Sequence, residues 1–185
     1  MQTEIIIAGF GGQGVMFAGQ VLAYAAMDTG KQVTWMPSYG PEMRGGTANC
    51  IVVIADEEIG SPLVQNPPAA VVMNLPSFDK YEPLVKTGGV LIVNASMVDR
   101  AAQRDDITTI LVPANDIAEE IGDKRLANMV AIGALLGCLD ILTVKDLEAA
   151  LEAHMPGRHK HLLLKNFEAL RKGAEHAKKE LAKKK

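Results

Sequence analysis

Residues 5–19 place a tight knot of glycines between an apolar run and a small-residue run, and few folds accept that succession. Ile5, Ile6, Ile7 and Ala8 lead into Gly9-Phe10-Gly11-Gly12-Gln13-Gly14, and Val15-Met16-Phe17-Ala18-Gly19 follows at once. A short β-branched run reads as a strand. Four glycines within six positions let the chain turn back without side-chain obstruction. The small residues after them suit the start of a helix lying close on a sheet. Strand, loop and helix in that order turn backbone N–H groups and the positive end of a helix dipole toward the loop, the local geometry that receives a phosphate.

The rest of the chain repeats the alternation. Further strands are expected at residues 32–36, 47–54, 70–73, 90–93 and 107–112, after a first at 4–8. Pro37 is expected to close the second of them. Helices are expected at residues 14–29, 77–85, 126–139 and 145–154, and from His161 onward, with Gly30 supplying a left-handed cap. Asn115 or Asp116 is read as the cap of another short helix through Glu120, and Thr143 with Asp146 as a capping box. Gly133 and Gly137 stand four apart in the most apolar helix and would permit close backbone contact. Leu163, Phe167, Leu170, Ala174, Ala177 and Leu181 form a continuous stripe on the last one. The fold class is therefore α/β: residues 1–185 as a single domain, a three-layer sandwich with a mostly parallel sheet, helices on both faces and a Rossmann-like first β-α unit. A frayed lysine-rich tail ends the helical segment 161–185.

Charge and cysteine usage narrow the functional classes. Nineteen Lys and Arg against 22 Asp and Glu give a net charge of −3, which sets up no field toward nucleic acid or an acidic membrane surface. No apolar run approaches the length of a membrane span and the first residues lack a basic leader, so a cytoplasmic location is expected. Cys50 and Cys138 each sit in an apolar run and read as buried free thiols. Two cysteines cannot supply the four thiolates of an iron–sulfur cluster.

Two segments are candidate sites. Gly9, Gly11 and Gly14 satisfy G-x-G-x-x-G, with Gly12 and Gln13 inside the motif. A dinucleotide site also expects an acid at the end of the second strand to hold the ribose, and Val33-Thr34-Trp35-Met36-Pro37 offers none. No Lys-Ser or Lys-Thr follows the glycines, so a Walker loop fails as well. The loop is left as either a packing turn or the seat of another phosphate-bearing ligand. The second segment is residues 37–46, where five of ten residues are Gly or Pro and Tyr39, Glu42 and Arg44 are the strongly polar or aromatic groups. Arg44 could fork onto a carboxylate or phosphate or pair with Glu42, and Gly45-Gly46 would admit a close backbone or ligand. His154, His159 and His161 gather around Pro156-Gly157 without a carboxylate or cysteine at ligand spacing, and are read as a solvated helix junction.

The glycine segment, Ala18-Gly19, Leu22-Ala23 and Pro37-Ser38-Tyr39-Gly40-Pro41-Glu42-Met43-Arg44-Gly45-Gly46 together resemble the gamma subunit of 2-oxoacid:ferredoxin (acceptor) oxidoreductases, most closely the 2-oxoglutarate type. Ile59-Gly60-Ser61-Pro62 and Met73-Asn74-Leu75-Pro76-Ser77 extend the likeness. The resemblance implies a complex that decarboxylates a 2-oxoacid, releases an acyl-CoA and passes electrons to ferredoxin. It implies thiamine diphosphate with magnesium between alpha and beta subunits, and iron–sulfur clusters on beta or delta-type subunits. This chain would have no catalytic residue and no metal of its own. It would assemble with those subunits and offer Gly9, Gly11, Gly12, Gln13, Gly14, Tyr39, Glu42, Arg44, Gly45 and Gly46 to coenzyme A, a phosphate or an intersubunit contact. Isolated, it could self-associate through an orphaned interface. Without the resemblance, the residues also accommodate a free-standing phosphate-ligand-binding α/β module that catalyses nothing.

Overall fold

The computed structural model describes residues 1–40 and 46–184. Six strands form one sheet: β1 (Gln2–Phe10), β2 (Gln32–Tyr39), β3 (Thr47–Ala55), β4 (Ala69–Val72), β5 (Val90–Asn94) and β6 (Thr108–Val112). Their spatial order is β2-β3-β1-β4-β5-β6. β1, β4, β5 and β6 pair in parallel, whereas β3 lies antiparallel between β1 and β2. The helices are α1 (Val15–Asp28), α2 (Leu75–Tyr81), α3 (Ala114–Ile121), α4 (Ala127–Cys138), α5 (Val144–His154) and α6 (Leu163–Lys183). None of the described helices is long and apolar enough to cross a membrane. The three-layer α/β expectation holds.

Strand alternation divides the core in two. Ile5, Ile7, Val52, Val71 and Ile92 face α1, α3, α4, α5 and α6, while Ile6, Ala8, Val72, Leu91 and Val93 face α2. On the first side α4 is almost wholly buried, as its apolar circumference requires. It crosses α6 with backbone nearly touching backbone: a Cβ on Gly133 would overlap the Leu170 carbonyl, and one on Gly173 the Val130 carbonyl. The α6 stripe is thus a core face.

Local chemistry sets the ends of the elements. Gly30 takes φ 80° after α1, and Thr143 and Asp146 complete the capping box of α5. Three expectations need correction. Residues 77–85 are not one helix: α2 starts at Leu75, where the Asn74 side chain accepts the Ser77 N–H at 3.0 Å, and Pro83 falls in a separate 3-10 turn, Glu82–Leu84. Neither Asn115 nor Asp116 caps α3. Pro113 precedes it, and the hydroxyl of Ser96, from another loop, accepts the Asn115 and Asp116 N–H groups at 3.2 and 3.4 Å. Nor does Pro37 end β2. Gly40 N–H donates to the Thr47 carbonyl at 2.7 Å in line with the β2–β3 register, so alternate residues Ser38, Met36 and Thr34 bond to β3. Pro37 falls between them, with its missing N–H on the free edge, where it costs no ladder bond.

Candidate functional site

The carboxyl ends of β1 and β4 meet where the chain diverges, because β1 feeds α1 on one face and β4 feeds α2 on the other. Open α/β sheets bind ligands at such a switch point. Residues 9–14 form its crest. Gly12 and Gly14 adopt φ 109° and 72°, which only glycine takes without strain. Gly14 stands at the N-cap of α1 with no side-chain cap there, and α1 has no acid in its first turn.

The loop is held by amides. The Gln13 side chain accepts the Phe10 N–H at 2.9 Å and donates to the Met73 carbonyl at 3.0 Å, tying the crest to the end of β4. Asn128, buried at the start of α4, donates to the Gly14 carbonyl at 3.0 Å. Gly9 and Gly14 are required by these tethers, because a Cβ on either would strike the Gln13 or the Asn128 amide. Asn94, 1% exposed at the end of β5, donates to the same Met73 carbonyl and to Asn115, and its own Oδ1 is left unbonded. These tethering side chains are neutral amides. They can hold and orient, and none can take or give a proton near neutral pH.

The structure brings the two sequence-predicted segments together. Gly11 N–H donates to the Gly46 carbonyl at 2.9 Å, continuing the β1–β3 ladder one step past the Phe10–Thr47 pair. Glu42, Arg44 and Gly45 lie outside the described residues. Tyr39 is set apart: it ends β2, is 50% exposed, and by strand alternation shares the α1 side with Trp35. The absence of a ribose-binding acid also gains a structural reason. With β3 inserted, the end of β2 stands two strand spacings from the glycine crest, roughly 9–10 Å.

A cavity opens on each side of the crest. On the α2 side, about 330 Å³ is lined by Gly9, Phe10, Asn49, Asn74, Lys80 and Tyr81, among others. Lys80 sits 4.9 Å from the centre of the Tyr81 ring and is the cation among the described lining residues. On the α1 side, about 280 Å³ lies behind Gly12 and Gly14, against Asn128, Arg125 and His159. Arg125 is engaged there by Asp123, at 2.7 and 2.9 Å.

The remaining chemistry-bearing groups lie elsewhere. His154 pairs with Asp28 at 2.9 Å and stacks on Tyr24, pinning α5 to α1, and His159 takes a bond from Arg158. Cys50 is buried, which pushes its thiol up to about 12; Cys138 is only partly covered, short of the full burial expected, yet burial still lifts it to about 11. Neither supplies a thiolate at neutral pH. No described group of three or more His, Cys, Asp and Glu could hold a metal ion.

Asn49, Asn74, Lys80 and Asn128 are site residues that sequence reasoning missed. Asn128 had a signal, a lone amide inside an otherwise apolar run. Asn74 had one too, a capping residue directly before Leu75-Pro76.

Residues 4–176 match the pyruvate ferredoxin/flavodoxin oxidoreductase family, and the chain belongs to it. It is 42% identical over 163 residues to the 2-oxoglutarate synthase subunit KorC of Methanothermobacter marburgensis, covering 84% of this chain and 88% of that one. It is 37% identical over 181 residues to the ketoisovalerate oxidoreductase subunit VorA of the same organism, covering 97% of this chain but only 37% of VorA. The chain thus spans little more than a third of that relative. Among solved structures, the gamma subunit of a keto/oxoacid ferredoxin oxidoreductase from Geobacter sulfurreducens PCA superposes with a TM-score of 0.81. It is 30% identical, with 95% of this chain and 98% of that one covered. The resemblance to gamma subunits drawn from the two glycine-containing segments is borne out.

Proposed function

We propose that this chain is the gamma-type subunit of a heteromeric 2-oxoacid:ferredoxin oxidoreductase acting on 2-oxoglutarate. The complex would convert the 2-oxoacid and coenzyme A to carbon dioxide and an acyl-CoA, passing two electrons to ferredoxin. The observation that carries this reading is the near end-to-end match to KorC, a separate subunit of similar length. Ketoisovalerate is the second substrate reading, favoured by the VorA match. Thiamine diphosphate, magnesium and the iron–sulfur clusters are assigned to alpha, beta and delta-type partner chains: two cysteines cannot ligate a cluster, and no group of three or more His, Cys, Asp and Glu among the described residues could hold a metal ion.

Within the complex, the role of this chain is assembly and ligand positioning. The glycine crest, the cavities on either side of it and Lys80 are assigned to the phosphates of coenzyme A, and Glu42, Arg44 and Gly45 to coenzyme A or an intersubunit contact. Arg44 and Tyr39 are assigned to the intersubunit face, Tyr39 at its rim, from the exposed end of the edge strand β2. Mild affinity capture from the native cell extract, followed by an absorption spectrum and 2-oxoacid-dependent dye reduction with coenzyme A, tests the reading. A brown complex active on 2-oxoglutarate is expected, and a lone colourless chain overturns it in favour of a free-standing ligand-binding module. In the complex, Arg44→Ala is expected to cut turnover or assembly at least tenfold; wild-type behaviour in both removes Arg44 from the interface.

A further inference from the structure

We infer that the α2-side surface of β2 and β3 is where this chain docks on a catalytic polypeptide of the complex, one homologous to the part of VorA outside the match. The inference rests on the gamma-subunit reading and adds the face and the partner.

Strand alternation places Thr34, Met36 and Ser38 of β2 beside Asn49, Ile51 and Thr47 of β3 on this surface. Helix α1 packs across the opposite side of both strands, while α2 packs against β1 and β4. The six side chains are accordingly half-buried or exposed, although they belong to internal sheet rows and the sheet edge. Their chemistry is unusual for an exposed surface. Neither β2 nor β3, eight and nine residues long, contains a single Asp, Glu, Lys or Arg, in a chain that is 22% charged. Depletion of charge, with methionine present, marks the buried centre of a protein interface.

Two further facts choose the occupant. In VorA the equivalent unit makes up 37% of one polypeptide, so the remaining part of that protein is covalently its neighbour. The same surface runs without a break into the α2-side cavity, since Thr47 and Asn49 line both. A chain seated on β2 and β3 would therefore close the cavity beside the glycine crest. The exposed apolar residues on the helical side carry no such continuity: Leu164 stands next to Lys165, and Met27 next to Asp28.

The test uses the complex assembled by co-expression with its cognate catalytic chains. Ser38→Arg and Thr47→Arg, at exposed strand positions, should each reduce recovered complex tenfold or more while melting like the parent. Met27→Arg and Leu164→Arg, on the helical side, should stay within twofold. In parallel, a Ser38→Cys chain should react with a maleimide when free and be protected at least tenfold once assembled, whereas Met27→Cys reacts in both states. This second measurement does not depend on how an arginine is tolerated. Normal assembly of both arginine variants, or an unprotected Ser38→Cys in the complex, overturns the assignment of the face. Failure of the parent chain to capture any catalytic polypeptide overturns the gamma-subunit reading instead.

Discussion

On the α1 side of the sheet, five helices bury a continuous apolar core, and two of them touch backbone to backbone through Gly133 and Gly173. On the α2 side, one helix of seven residues covers the middle strands, and β2 and β3 present a neutral surface around the glycine crest. The difference separates two tasks. Packing that tolerates no added methyl is where a domain holds its stability, because a close-packed interior cannot yield cheaply. The part of the α2 side over β2 and β3, uncharged and continuous with a cavity, lies outside that side's own buried cluster and is free to be finished by something else. The glycine crest lies on the boundary. Its backbone is fixed from the α1 side by Asn128 and across the switch point by Gln13, while the 330 Å³ cavity continuous with β2 and β3 opens on the other.

The comparison breaks most readily at the closed face. Glycine to alanine inside a helix ordinarily stabilises by about 1 kcal/mol. Gly173→Ala should reverse that sign, because the new methyl overlaps the Val130 carbonyl and α6 cannot withdraw without opening the core. A loss of about 3 kcal/mol is expected, in the range for overpacked cores. For a chain of this size it would lower the melting temperature by roughly 6–12 °C. A calorimetric scan reads it directly, and a neutral or stabilising result would mean the α4–α6 contact is not close-packed.

The crest gives a smaller effect. Gln13→Ala removes the side-chain bond that ties the crest to the end of β4 and the one that holds the Phe10 N–H. The Met73 carbonyl keeps the Asn94 amide, so the main loss is the acceptor of the Phe10 N–H, with the longer 3.5 Å bond from the Asn74 amide going with it. One partly buried donor costs about 1–2 kcal/mol. Urea unfolding should show that loss with an unchanged m-value. A Gln13→Glu variant should recover part of it, because the carboxylate still accepts from Phe10 while the donor to Met73 stays lost. Equal stability of all three would show that the amide does not hold the loop.

How much of this was legible follows the range of the interactions involved. The strand-loop-helix opening, the Gly30 cap, the Thr143–Asp146 box and the α6 stripe are set by residues within one or two turns of each other, and each reads directly from the chain. The close approach permitted by Gly133 was readable; that Gly173 supplies the facing gap was not, because the pairing depends on the crossing. The cap of α3 escaped for the same reason, since Ser96 supplies it from about twenty residues away. Pro37 misled because proline forbids a ladder bond only on the bonded side, and which side that is depends on a register no local pattern carries. Likewise, the antiparallel insertion of β3 cannot be seen in an apolar run, yet it is what moves the end of β2 away from the crest. Gln13 stood out by position, whereas Asn128 and Asn74 became site residues only when the fold brought them beside it.

Acid should loosen the two faces unequally, and by less than either the Gly173 or the Gln13 substitution. Asp56 is held down to about 2 by Lys31, at 2.7 Å, and by the Met1 amino group. Asp106 is held down to about 2 by Arg104 and then by Thr87, whose hydroxyl is 2.8 Å away. Both carboxyls are exposed, so screening keeps the stabilisation modest. For a group whose folded pKa is depressed, the contribution is complete above its unfolded value of 3.8 and disappears as pH falls through about 2. Stability should therefore be level above pH 4 and decline between pH 4 and 2. These two pairs tie together segments 25 and 19 residues apart, unlike the i,i+4 pair of Glu175 and Lys179 on α6. Hydrogen exchange at pH 3 should show protection lost first around residues 31 and 56 and around residues 87 and 104–106, with α4 and α6 still protected. Asp106→Asn should bring that loss to neutral pH around residues 87 and 104–106 alone. Uniform loss of protection across both faces would mean that acid acts on the closed core, and that the loops bounding the open side are no weaker than the helices opposite.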